Sequence, residues 1–256
     1  MAVIFYPVFY FETQHHHFFL YYYLSTTGRY FFFIIQMDHN SSSSHFHHVS
    51  HESGSKLTAT PSQIMAMLNI IEENILPKTR EGVNRGNKVF GAAILDSNYE
   101  TVYSDTNNEI HCPILHGEVN TILGWSAIVP ASDRGLHAKS AIFLSTHEPC
   151  CMCISSIVWA GFNTVFYFFP YAITTDQGIP WDVETMHELW GVDSYRRENK
   201  FCKTACLIDL IDSMNESEDK NKLIKRKERL INIYHELSKK YHNEKGSNSE
   251  NSLVLN

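Results

Sequence analysis

Apolar positions through the middle of this chain switch between two periods. Ile64, Met67, Leu68, Ile71 and Ile75 keep helical spacing, with Thr60 placed to cap and Pro61 in the first turn. Gly82 to Asn87 is a turn-rich break. Val89 to Leu95 and Thr101 to Tyr103 predict two strands joined by Asp96-Ser97-Asn98, a hairpin-like turn. Val119, Ile122, Leu123 and Ala127 return to helical spacing, as do Ile154, Ile157 and Val158, which run into Gly161 as a stop. Ile142 to Ser145 and Val165 to Phe169 are short, continuously apolar runs, the pattern of central strands covered on both faces. Another helix begins over 183–189. Strands alternating with helices after residue 110 are the α/β pattern. From Asn215 onward charge is dense, yet Leu223, Ile224, Leu230, Ile231, Ile233, Tyr234 and Leu237 keep helical spacing. The expectation there is a peripheral helix over 219–242 and a frayed tail over 243–256.

Two of these helices open on residues that carry chemistry. His116-Gly117-Glu118 precedes the Val119 run, and Pro149-Cys150-Cys151-Met152-Cys153 precedes the Ile154 run. One imidazole and two thiols three residues apart close three positions around a zinc ion and leave the fourth for water. Zinc lowers the pKa of bound water to roughly 7, and a carboxylate beside it can take a proton from that water and pass it to a leaving amine. Glu118 suits that role because it is not needed as a ligand. At helix starts the dipole favours thiolate and carboxylate. A closed, purely structural zinc knot would need a fourth protein ligand. Cys151, His147 and His111 are nearby in sequence, but an adjacent cysteine projects elsewhere on a helix.

The H-x-E…P-C-x-x-C arrangement is the pattern of zinc-dependent base deaminases. With Val89 to Leu95, His116 to Asn120, Glu148 to Cys153, and Ser156 to Gly161 followed by Val165-Phe166-Tyr167, the chain resembles the cytidine/deoxycytidylate deaminase superfamily. The likeness runs from about residue 58 to 190 and is nearest the branch holding cytosine, guanine and tRNA adenosine deaminases. It implies a three-layer α/β/α sandwich with a five-stranded mixed sheet, a Zn2+ cofactor held by His116, Cys150 and Cys153, and Glu118 as the catalytic residue. The reaction implied is hydrolytic deamination by a hydrolase acting on amidine C–N bonds, of CMP/dCMP-deaminase type.

Composition limits the remainder. A chain of 256 residues accommodates one domain of about 150 residues plus flanks. The organisation expected is a leader over 1–57, a zinc deaminase domain over 58–212 and a charged C-terminal segment over 213–256. A net charge of −7 argues against a broad nucleic-acid-binding face. Of six cysteines, three crowd the motif, and Cys112, Cys202 and Cys206 form no disulfide framework. That favours a reducing, cytoplasmic setting. Cys202 and Cys206 lack a standard zinc spacing. Residues 1–36 are dominated by Phe, Tyr, Ile and His, in runs too short to span a bilayer. The sequence favours Met37 as the start of the ordinary chain, over a membrane anchor. A Ser- and His-rich leader to Ser55 is too polar to pack, and its His cluster reads as a solvated tract.

Around the metal motif the resemblance points to an asparagine before the histidine as a substrate contact. Asn107 and Asn108 stand nine and eight residues ahead of His116, a shorter separation than in the cousins, and both also suit plain turn formation. Phe90, Trp181 and Asp182 complete the expected substrate-binding set, with Glu148 either a family feature or an exposed helix-start carboxylate. The substrate expected is a free nucleobase or nucleoside, of guanine or cytosine type, handled by a homodimer. The alternatives are a tRNA adenosine deaminase subunit or a catalytically inactive, zinc-bearing scaffold subunit. RNA would want a basic surface, and the only basic run, Lys222 to Arg229, reads as a solvated helix face far from zinc.

Overall fold

The computed structural model describes residues 56–251 and 253–255 in full, and three N-terminal strands as backbone alone. Those strands, β1 (Tyr6–Glu12), β2 (His16–Leu24) and β3 (Tyr30–Asp38), form an antiparallel sheet in the order β1-β2-β3. The aromatic runs, left without any element in the sequence reading, are therefore strands. Phe and Tyr favour the pleated conformation, and Pro7 falls on an edge strand where the register shifts, as its missing N–H requires. The Ser- and His-rich leader after residue 38 lies outside the described residues. Met1–Gly54 and Ser55–Asn256 form two separate compact units.

The second unit opens with α1 (Pro61–Ile70), which runs through a π-helical turn (Ile71–Ile75) into α2 (Leu76–Asn84). Thr60 and Gln63 form a capping box at its start. Strands β4 (Gly91–Leu95) and β5 (Thr101–Thr106) are antiparallel, and Asp96 Oδ1 fixes their turn by accepting from the N–H groups of Asn98 and Glu100 at 2.8 and 2.9 Å. Next come α3 (Gly117–Ile128), α4 (Arg134–Ser140), β6 (Ile142–His147), α5 (Cys151–Ala160) and β7 (Thr164–Phe169). Then follow α6 (Tyr171–Asp176), α7 (Trp181–Trp190), β8 (Lys203–Cys206), α8 (Leu207–Asp212) and α9 (Glu218–Glu244).

The sheet order is β5-β4-β6-β7-β8, with β4 antiparallel to both neighbours and β6-β7-β8 parallel. Alternate residues of its central strands enter two cores. Ala93, Leu95, Leu144 and Phe166 pack with α1, the π turn, α8 and α9, whereas Ala92, Ile94, Phe143 and Val165 pack with Trp125 and Ile157 of α3 and α5. That is the expected three-layer α/β/α sandwich with a five-stranded mixed sheet. The fifth strand, β8, has only four residues and no apolar run to announce it. Gly161 ends α5 in the left-handed conformation, φ 96°, as a C-terminal glycine should.

The C-terminal segment departs from expectation. α9 is not peripheral: Leu223, Leu230, Tyr234 and Tyr241 are buried in the first core, and the Tyr234 ring lies 5.2 Å from that of Phe169. Its charges lie mostly on the other faces, and the apolar stripe legible in the sequence is what the core takes up. The tail does not fray either. Asn248 and Asn251 donate to the carbonyls of Arg85 and Gly86 at 3.0 and 3.3 Å.

Candidate metal centre and cavity

The parallel strands β6 and β7 end beside the starts of α3 and α5, and the motif residues meet there. His116 and Cys150 are the N-cap residues of α3 and α5, both extended, at φ −62°, ψ 160° and φ −63°, ψ 171°. Cys153 lies one turn into α5. Pro149 precedes the cap rather than entering the first turn. One donor atom from each of His116, Cys150 and Cys153 lies within 4.8 Å of the others, the only such cluster among the described residues.

Close packing fixes this arrangement. A Cβ on Gly117 would stand 2.6 Å from the Gly91 Cα, so α3 can approach the head of β4 only through glycine. The Gly117 N–H donates to Asn107 Oδ1, while Asn107 Nδ2 donates to Glu109 Oε2 at 2.7 Å. His116 presents Nδ1 to Cys150 Sγ at 3.7 Å and Nε2 to Glu109 Oε1 at 3.6 Å. Glu118 is buried, and Ser145 of β6 donates to its Oε1 at 2.9 Å.

The charges are crowded. Burial first, and then the Cys150 thiolate, push the Glu118 carboxyl above its usual range. Burial likewise holds the Asp182 carboxyl well up, with Cys150 adding to it. A hydrogen bond from Cys153 holds the Cys150 thiol well below the ordinary value, while burial and that same thiolate hold Cys153 well above. Burial disfavours a charged His116, yet Cys150, Glu109 and Glu118 together raise it to about 9. Imidazole, thiols and carboxyls thus compete for protons in one small space. A divalent cation would relieve that competition by replacing protons with its own charge. One nitrogen and two sulfurs match the tetrahedral preference of zinc and leave a position open.

A cavity of about 370 Å³ opens onto the cluster. Phe90, Trp181 and Asp182 line it, together with Lys88, Glu109 and the tail residues Leu253 to Leu255. Asn107 and Asn108 do not. Both ends of the buried Asn107 amide are taken by Gly117 and Glu109, and Asn108 faces a separate surface pocket beside Arg85 and His111. Glu148 is not an exposed helix-start carboxylate: it is buried and doubly bonded by Arg197 at 3.2 and 3.1 Å. His147 is a buried structural imidazole between Thr146 and Gln177, each at 3.0 Å, with its pKa lowered to about 3 by burial. Glu109, Lys88 and Ser145 escaped the sequence reading. Each sits in an unremarkable local context, and only the fold brings them to the site.

Residues 70–169 match the family model of the cytidine and deoxycytidylate deaminase zinc-binding region. This segment belongs to that superfamily. It contains all three metal-cluster residues and Glu118, so the domain is a zinc-binding deaminase domain, whereas Asp182 and α9 lie beyond the matched segment. No curated protein sequence matches the chain. Among solved structures the chain is similar to guanine deaminase from Nitrosomonas europaea, with 15% identity over 67% of this chain and 86% of the other, TM-score 0.41. It is similar also to guanine deaminase from Bacillus subtilis, with 21% identity over 56% and 92%, TM-score 0.38. A tRNA:A34 deaminase is similar at 19% identity over 44% and 78%, TM-score 0.32. Among the described residues, no helix is long and apolar enough to cross a membrane.

Proposed function

We propose that this domain hydrolytically deaminates a free nucleobase or nucleoside, of guanine or cytosine type, and releases ammonia. The observation that carries the reading is Glu118, buried and oriented by Ser145, beside the cluster of His116, Cys150 and Cys153. In this reading those three residues hold zinc and Glu118 carries protons. Zinc, when bound, supplies water acidic enough to ionise near neutral pH. Glu118 takes one proton from water and delivers it to the ring nitrogen, then carries the second, from the hydroxyl now on the ring carbon, to the amine that departs as ammonia. Its raised pKa suits a group that must hold a proton and then release it. Phe90 and Trp181 offer flat apolar surface to a ring, and Asp182 offers a second buried carboxyl to its polar edge.

The cavity lining supports a small substrate over RNA. Its only lysine or arginine among the described residues, Lys88, is buried and bonded to Glu109 at 2.8 Å. Much of the remaining lining is apolar: Ile114, Met152, Leu189 and Leu253 to Leu255 offer nothing to a phosphate. The basic run on α9 is engaged elsewhere, as Arg226 and Arg229 pair with Glu72 at 2.8 and 2.7 Å and Lys227 pairs with Asp212. Arg226 and Lys227 are thus half-buried ion-pair partners rather than a freely solvated face, while Arg229 makes its pair from an exposed position. Ammonia release from a panel of bases, nucleosides, nucleotides and tRNA tests the proposal. Turnover of a base or nucleoside supports it, and turnover of tRNA alone overturns it.

A further inference from the structure

His116 has two ring nitrogens, and a ligand can use only the one that carries no proton. Nδ1 faces Cys150 Sγ at 3.7 Å, inside the metal cluster. Nε2 faces Glu109 Oε1 at 3.6 Å, within ion-pair reach though longer than a hydrogen bond. An ionised carboxylate accepts only, so the ring nitrogen beside it is favoured as N–H and the opposite nitrogen keeps its lone pair. Glu109 is itself fixed on several sides. Lys88 Nζ donates to Oε1 at 2.8 Å, Asn107 Nδ2 to Oε2 at 2.7 Å, and the Lys88 backbone N–H to Oε2 at 3.3 Å. Glu109 is 2% exposed and Lys88 5%, so neither is a casual surface group.

We propose that Glu109 is the positioning residue for the metal-binding imidazole: it selects the tautomer with the proton on Nε2 and so presents Nδ1 to zinc. Asn107 holds the carboxylate aimed at the ring, with Lys88 on its other side. This rests on the zinc reading of His116, Cys150 and Cys153. A carboxylate behind a histidine ligand steadies the ring and raises its basicity, and its loss typically weakens metal binding about 10- to 100-fold.

The test is zinc affinity of the full chain, by competition with a chelator of known strength, in wild type, Glu109→Gln and Lys88→Met. Glu109→Gln should loosen zinc about 10- to 100-fold, and Lys88→Met should loosen it far less, because the carboxylate remains behind His116. Equal losses in both variants would mean the pair merely supports the fold, and unchanged affinity in Glu109→Gln would overturn the proposal outright. Long-range proton–nitrogen NMR on the zinc-loaded wild type needs no variant. A proton on Nε2 supports the assignment, and a proton on Nδ1 overturns it whether or not Glu109→Gln folds. A wild type that binds no zinc would instead sink the underlying metal reading.

Discussion

Ser145 Oγ donates to Glu118 Oε1 at 2.9 Å, joining the central strand β6 to the first turn of α3. The bond ties the carboxyl to the most rigid part of the sheet, beside the cysteines rather than among the metal-binding atoms. Glu118→Gln keeps the size of the side chain and removes its ability to carry a proton. We expect near-wild-type zinc content, by metal analysis, and a loss of turnover of roughly 10²- to 10⁴-fold. Parallel loss of zinc would make Glu118 a ligand or a structural support.

The three cysteines of the motif should separate cleanly. Cys150→Ser and Cys153→Ser should each strip zinc, whereas Cys151→Ser should retain it. Cys150 and Cys153 are the pair that meets His116, and Cys151, consecutive on the helix, projects about 100° away. Loss of metal from Cys151→Ser alone would overturn this ligand set.

Much of this site is local in sequence, which is why it could be read there. His116 with Glu118, and Cys150 with Cys153, each lie within four residues at one helix start, so a short motif carries each pair. Helices α1, α3, α5, α7 and α9 and strands β4 to β7 showed in the sequence pattern, whereas α2, α4, α6 and α8 and the strands β1 to β3 and β8 did not. What stayed hidden depends on contacts between distant segments. Glu109 reaches Lys88 across 21 residues and Glu148 reaches Arg197 across 49. Asn107 has the residue type of a substrate contact, but the fold uses its amide to hold Gly117 and Glu109. In α9 the apolar stripe was legible, but dense charge around it pointed to a peripheral helix, and only the packed core shows the stripe buried.

The close approach of Gly117 to Gly91 gives this glycine a packing role beside the site. Gly117→Ala must push α3 from β4, at a cost of about 1–3 kcal/mol. The denaturant midpoint should fall accordingly, and zinc affinity with it, because His116 is the adjacent cap residue. An unchanged midpoint would show that the two backbones separate freely.

His147 should make the fold sensitive to acid. Its ring has a pKa near 6.5 in the unfolded chain and about 3 when buried. Between those values the unfolded chain binds the extra proton and the native one does not, so stability falls as pH falls. The contribution is at most about 1.4 kcal/mol per pH unit. Unfolding free energies of wild type and His147→Gln, measured from pH 7 to 4, should diverge in slope by that order. Parallel slopes would mean the native ring takes up its proton as readily as the unfolded one.

The most direct measurement is ammonia release by the zinc-loaded protein at about 50 and 200 mM salt, with free bases, nucleosides and tRNA offered separately. A base or nucleoside carries no phosphate, so its turnover should change little with salt, and the joint neutralisation of Lys225, Arg226 and Lys227 should leave that turnover unchanged in protein whose fold, which the Arg226–Glu72 and Lys227–Asp212 pairs support, is intact by circular dichroism. An RNA substrate held through several phosphates would lose orders of magnitude in affinity over the same range. The account predicts salt-insensitive release from a base or nucleoside, abolished by Glu118→Gln. Release from tRNA alone, steeply salt-dependent and lost on the triple neutralisation with the fold intact by circular dichroism, would contradict it.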